Sequence, residues 1–238
     1  MSPSPSFRVL VTRSEPGASE TAQRLADRGY SPVVEPLFSI EAIAASLPAY
    51  DALAFTSANG VRAFARLDPT RDLPVFCVGG RTAQEALDLG FARVLSAEGD
   101  VNDLAILIGN RMQAGARLLH TGNEESRGDL SGTLAARGIE ASFVPTFRAA
   151  PVAAPGPRLA AHLGGKPAFD AILIHSARAA AILSQFAAKS PNRAPLDVAS
   201  ISAEAVRPLI HLARRVQTAA RPNEAALVDS LGLLRDLG

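Results

Sequence analysis

Leu25-Ala26-Asp27-Arg28-Gly29, followed by Pro36-Leu37-Phe38, returns 109 residues later as Leu134-Ala135-Ala136-Arg137-Gly138 and Pro145-Thr146-Phe147. Ahead of each copy lies a short aliphatic run, Arg8-Val9-Leu10-Val11-Thr12 in the first and a run starting at Leu118 in the second. In the first copy the apolar positions Ala22, Leu25 and Ala26 share one face of a helix from Ala18 to Arg28, which Gly29 ends. Ser31 to Leu37 reads as a strand, and Pro32 and Pro36 mark it as an edge or irregular one. The correspondence continues. Asp51-Ala52-Leu53-Ala54-Phe55-Thr56-Ser57-Ala58 resembles Asp170-Ala171-Ile172-Leu173-Ile174-His175-Ser176-Ala177, and Val75 to Thr82 resembles Val198 to Ala205. The weaker strand Val94-Leu95-Ser96-Ala97 parallels Val216-Gln217-Thr218-Ala219. Helices with acidic starts follow each of these, Asp103 to Gln113 and Glu224 to Leu237. Nearly the whole chain is thus two copies of one α/β unit of about 110 residues, a common domain size. Strand–helix alternation of this kind predicts parallel sheets. Repetition alone would divide the chain near Ala114. Ser39 to Ala49 and Arg148 to Pro167 fall outside the alternation and read as linkers.

Composition narrows the function classes. Of 238 residues, 47% are apolar but only 5% aromatic, with no Trp, so the cores must be aliphatic. Lys and Arg number 24 against 23 Asp and Glu, a net charge of +1 that lacks the surplus cations of a polybasic nucleic-acid binder. The single cysteine, Cys77, excludes an intramolecular disulfide and a Cys-based zinc cluster; its setting in Val75-Phe76-Cys77-Val78 predicts a buried, inert thiol. No stretch reaches the roughly 18 apolar residues of a spanning helix, and MSPSPSF lacks a leader's basic and apolar regions. A cytoplasmic protein is expected.

In open parallel sheets ligands bind beyond the C-terminal strand ends, where turns enter helices. Five turns qualify here: Thr56-Ser57-Ala58-Asn59-Gly60, Gly79-Gly80-Arg81-Thr82, Gly122 to Arg127, Ser176-Ala177-Arg178 and Ser202-Ala203-Glu204. Their small hydroxyl and glycine residues leave backbone N–H groups available to carboxylates or phosphates at helix N-termini. The same residues also serve simply as N-caps. Arg13, Arg62, Arg81, Arg127, Arg148 and Arg178 lie near these turns, and clustered they would suit a polyanion. Phosphate-loop, dinucleotide and nucleophile-elbow signatures are missing, and His120, His162, His175 and His211 show no metal-pair spacing. His120 and His175 end candidate strands, as structural histidines or as groups reaching a cleft.

Val9-Leu10-Val11-Thr12-Arg13, Phe55-Thr56-Ser57-Ala58-Asn59-Gly60-Val61, Val78-Gly79-Gly80-Arg81-Thr82-Ala83 and Ala220-Arg221-Pro222-Asn223-Glu224-Ala225-Ala226-Leu227 together resemble the uroporphyrinogen-III synthase family. The resemblance is ordered and runs from Arg8 to about Leu231. It implies two flavodoxin-like α/β domains joined by a two-stranded linker, the chain crossing twice. One domain is then residues 1–35 with 149–238 and the other 36–148. Hinge motion around the substrate follows from two linking strands. The implied reaction is cyclisation of hydroxymethylbilane, with loss of water and inversion of the terminal ring, and no cofactor or metal. The partner is a polycarboxylate linear tetrapyrrole, with transient contact to the enzyme that makes it; neither nucleic acid nor membrane is involved, and the default state is a monomer.

The resemblance places substrate binding at Arg13, Thr56, Ser57, Asn59, Gly80, Thr82, Arg148, Ser176 and Ser202. A tyrosine common in the family's crossover strand is here Phe147, which cannot donate a proton. The catalytic candidates are Thr56, His175 and that Phe147 position, with His120, Ser176, a water or the substrate's own acid as other donors. A catalytically weak or inactive two-domain binder of an anionic ligand remains the alternative. A two-domain glycosyltransferase is a third reading, disfavoured by the missing nucleotide-binding signature.

Overall fold

The computed structural model describes residues 6–15, 17–126 and 130–236; Pro16 and Arg127 lie outside them. The elements in chain order are β1 (Arg8–Val11), α1 (Gly17–Asp27), β2 (Ser31–Val34), β3 (Phe38–Ala42), β4 (Ala52–Phe55), α2 (Ala58–Leu67), β5 (Pro74–Cys77) and α3 (Gly80–Asp88). Next come β6 (Arg93–Ser96), α4 (Val101–Arg111), β7 (Arg117–Asn123), α5 (Leu130–Ala135), β8 (Glu140–Pro151) and α6 (Pro157–Leu163). The last are β9 (Ala171–Ile174), α7 (Ala177–Ala188), β10 (Asp197–Ser200), α8 (Ala203–Val206), β11 (Arg215–Thr218) and α9 (Glu224–Asp236).

Contacts divide the chain into two compact units: one formed by the described residues up to Ser39 and from Ala150 onward, the other by Ile40–Ala149. The cut that repetition alone suggests falls inside the second unit. In unit 1 the strands run in the order β2-β1-β9-β10-β11, all parallel. In unit 2 the order is β8-β7-β4-β5-β6, also parallel, with β3 added beside β8. Counted along each unit's own connection, unit 1 has the flavodoxin order 2-1-3-4-5. Unit 2 has the same order once β7 is counted first, so it is a circular permutant of unit 1. Each unit therefore combines the first half of one repeat with the second half of the other.

Strand alternation places the cores. Leu10, Ile172, Ile174 and Val198 bury into one side of the unit 1 sheet, and Val9, Val11, Ala171, Leu173 and Ala199 into the other. Unit 2 repeats this, with Ala52, Ala54, Phe76 and Leu118 on one face and Leu53, Phe55, Val75, Cys77 and Leu119 on the opposite one. Aromatics are few, and three of them gather here: Phe55, Phe64 and Phe91 pack with ring centroids 5.8–6.1 Å apart. Burial pushes the Cys77 thiol up to about 12, which leaves it unreactive.

Both units use the same pin to join their central strands. In unit 1 the Asp170 carboxylate accepts the Arg8 backbone N–H at 2.7 Å and the guanidinium at 3.0 Å, while Asp170 N–H donates to Arg8 C=O at 2.8 Å. In unit 2 Asp51 does the same for Arg117, at 3.0 and 2.7 Å, with a 2.9 Å return bond. The helix stops are equally repeated, Gly29 and Gly138 having φ of 77° and 72°, where any other residue would be strained.

Several boundaries differ from the sequence expectation. The second linker stretch contains α6, started by Pro157 behind Gly156 and held by buried Leu159 and Leu163. The remaining crossings are paired strands: Ile43 N–H donates to Thr146 C=O at 2.9 Å and Val152 N–H to Leu37 C=O at 3.1 Å, an antiparallel ladder of β3 and β8. Helix α4 begins at Val101 because Asp100 caps it and Asp103 closes the capping box from inside. After Ser202 only a four-residue helix forms, passing into a 3-10 turn over Arg207–Leu209 at Pro208.

Phe64 is wholly buried against the aromatic cluster. Phe64→Ala is expected to lower unfolding stability by about 3–5 kcal/mol, read from urea melts.

Candidate functional site

The strand-end turns of unit 2 are built as helix starts. Ser57, in extended backbone, caps α2 and accepts the Gly60 N–H at 3.2 Å. Gly60 has to be small, since a Cβ there would stand 3.0 Å from the Thr121 carbonyl on β7. Asn59 occupies the second position of α2. Thr56 stands directly before the cap, its hydroxyl 3.3 Å from His120 Nε2. His120 is buried, with its ring 5.0 Å from Phe143, and desolvation holds its imidazole down at about 4. It is therefore neutral at physiological pH and able to orient the Thr56 hydroxyl.

The Gly79-Gly80 turn starts α3 with no side-chain cap. Glu98 lies over it, its carboxylate 3.0 Å from where a Gly80 Cβ would be, with a left-handed φ of 51°. An internal carboxylate thus lies where the sequence places one from the substrate. Thr82 is buried within α3. Phe147 on β8 is only 5% exposed, and its carbonyl accepts the Glu124 N–H at 2.8 Å across the bulge after Gly122. Arg148 pairs with Glu41 at 2.9 Å, and Arg62 with Glu85 at 2.6 Å.

In unit 1 the equivalent turn repeats the cap: Ser176 accepts the Ala179 N–H at 3.2 Å at the start of α7. Ser202 accepts Ala205 N–H at 3.1 Å. The Arg178 guanidinium lies 4.9 Å from the Phe38 ring centroid. The capping reading is therefore correct for Ser57, Ser176 and Ser202, and it does not exclude binding. A capping oxygen uses a lone pair and leaves the hydroxyl proton to donate.

The residue that sequence reasoning missed is Glu224. It reads as an ordinary acid in a first helical turn, and the structure brings three donors onto it. Its Oε1 accepts from Thr21 at 2.6 Å, and its Oε2 from Arg13 at 3.1 Å and His175 Nε2 at 3.1 Å. Burial alone would raise its pKa, but the His175 and Thr21 hydrogen bonds, with the nearby Arg13 charge, hold it at about 2. Arg13, expected to face substrate, is held by this carboxylate.

A cavity of about 840 Å³ opens at the opposite, N-terminal strand ends of unit 1, beside Arg8, Asp170, Asp197, Arg214 and Arg215. Its guanidiniums are engaged internally: Arg8 on Asp170, and Arg214 and Arg215 together on Asp197, which is 1% exposed. Burial would raise the Asp197 carboxyl, and the two arginines hold it below its usual range. These pairs tie strand starts together. Among the described residues no group of three or more His, Cys, Asp or Glu could hold a metal ion, and no helix is long and apolar enough to cross a membrane.

The family model described as uroporphyrinogen-III synthase HemD matches residues 19–229. The solved uroporphyrinogen-III synthetase of Helicobacter pylori is similar in fold, with a TM-score of 0.59 at 15% identity, covering 98% of this chain and 100% of that one. A uroporphyrinogen III synthase of Thermus thermophilus aligns at 17% identity over 98% of each chain, with a TM-score of 0.40. No curated protein matches.

Because the folded-state value of Glu224 lies below the ordinary 4.5, its stabilisation is complete above that pH and is lost as pH falls towards about 2. Urea unfolding from pH 7 to 2.5 is expected to show this loss, about 1–2 kcal/mol after solvent screening, and Glu224→Gln is expected to flatten it.

Proposed function

The chain belongs to the uroporphyrinogen-III synthase family and cyclises hydroxymethylbilane to uroporphyrinogen III, with loss of water and inversion of ring D; on that premise we propose that its substrate-binding residues are the strand-end groups of both units. The assignment rests on one recurring arrangement. Thr56-Ser57 after β4 and His175-Ser176 after β9 occupy equivalent positions, each with a polar side chain beside a capped helix start. Ser57, Asn59, Thr82, Ser176 and Ser202, with their adjacent N–H groups, would receive substrate carboxylates, as would Gly80 once the Glu98 carboxylate leaves its turn, and Arg13 and Arg148 would supply charge. The domain division expected from the resemblance, at Glu35/Pro36 and Arg148/Ala149, belongs to the same proposal.

The reaction needs a leaving hydroxyl, a stabilised azafulvene and closure through a strained spiro intermediate. Positioning and electrostatic control account for most of that work, so no dense catalytic triad is required. The buried Phe147 ring cannot supply the proton, and desolvation leaves His120 little imidazolium to do so. The remaining donor candidates are Thr56, His175, Ser176, a water or the substrate's own acid. We place the protein in the cytoplasm as a monomer, receiving its unstable substrate from the enzyme that produces it. The anion-binder reading keeps one observation in its favour, the phenylalanine at 147.

Hydroxymethylbilane generated in situ, followed by oxidation and isomer separation, should give mainly the type III porphyrin. Only type I product from folded protein would replace this reading with the anion binder. Thr56→Ala is expected to raise KM about 3–10-fold with a smaller effect on kcat, the size of one lost hydrogen bond. Phe147→Tyr should leave kcat unchanged or higher in the same assay.

A further inference from the structure

Glu224 binds groups from three other parts of unit 1: Arg13 from the turn after β1, Thr21 from α1 and His175 from the turn after β9. Two of these, Arg13 and His175, stand at strand ends assigned to substrate above, and the inference rests on that reading. An ionised carboxylate can only accept, so the His175 Nε2 in contact with it must carry the proton. The other ring nitrogen, Nδ1, is buried and has no hydrogen-bond partner among the described residues, so the contact to Glu224 is the one that orients the ring there. Arg13 lies across the first turn of α1, in space available only because residue 17 is glycine. A cation at a helix N-terminus is disfavoured by the helix dipole, and the Glu224 anion offsets this.

We infer that Glu224 is a positioning residue for the cyclisation: its one carboxylate fixes the orientation and Nε2–H tautomer of His175 and directs Arg13, pre-forming the carboxylate-binding strand ends of unit 1. The pair Arg28–Asp229, 2.8 Å apart, also ties α1 to α9 but touches neither Arg13 nor His175. It is the matched structural control.

The test combines nitrogen-15 NMR of the His175 ring with steady-state kinetics on the full chain. Wild-type protein should show a single tautomer protonated on Nε2; a ring protonated on Nδ1 alone would overturn the inference without any variant. Glu224→Gln should give mixed tautomers and raise KM about 5–20-fold with kcat changed less than about twofold, and Glu224→Asp should restore part of the KM. Asp229→Asn should lower Tm while KM stays at the wild-type value. If Glu224→Gln lowers Tm but leaves both KM and the tautomer unchanged, Glu224 is only structural. Wild-type protein that shows the expected tautomer yet yields no type III product would instead remove the functional reading and leave the ring's positioning intact.

Discussion

The strand β1 is buried on both faces and paired on both edges, and one of those edges requires β9, more than 150 residues further along the chain. Everything in unit 1 depends on that closure. Val9, Leu10 and Val11 are fully buried, with Ala171, Ile172 and Leu173 beside them in the ladder and helices over both faces. The register is fixed by more than the ladder itself, since Asp170 grips both the backbone and the side chain of Arg8. A one-residue slip would turn each aliphatic side chain to the wrong face and break that double grip. Unit 2 solves the same problem with Asp51 and Arg117.

The exchange of halves also explains why chemistry differs between two similar units. At equivalent strand ends Thr56 meets a neutral histidine from β7, whereas His175 meets an ionised carboxylate from α9. The fold supplies the same capped turn in both places, and the neighbouring element decides what the polar residue before the cap can do.

Much of the fold was legible because its signals are local. Val9-Leu10-Val11, the helix stop at Gly29 and the prolines of the edge strand around β2 each read directly from chain order, and the repeat multiplied the evidence. Which strand pairs with which was not legible from the repeat, because pairing across more than a hundred residues leaves no local mark; the family resemblance implied two flavodoxin-like units and a double crossing, without naming the pairs. The helix α6 was hidden by Ala, Pro and Gly that read as linker, although Leu159 and Leu163 anchor it. The helix caps Ser57, Ser176 and Ser202 were legible through cap chemistry. Glu224 and Glu98 were not: an acid's role depends on what folding brings to it, and their neighbours come from remote segments.

The discontinuity of unit 1 has a consequence for biosynthesis. Unit 2 ends at Ala149 and can close during translation as soon as its last strand leaves the ribosome. The aliphatic β1, made first, must wait until β9 emerges. In the interval Val9, Leu10 and Val11 lack their final cover, and such non-local pairing is slow to form. Until β9 has been made, this aliphatic segment is left without the neighbour that completes its sheet.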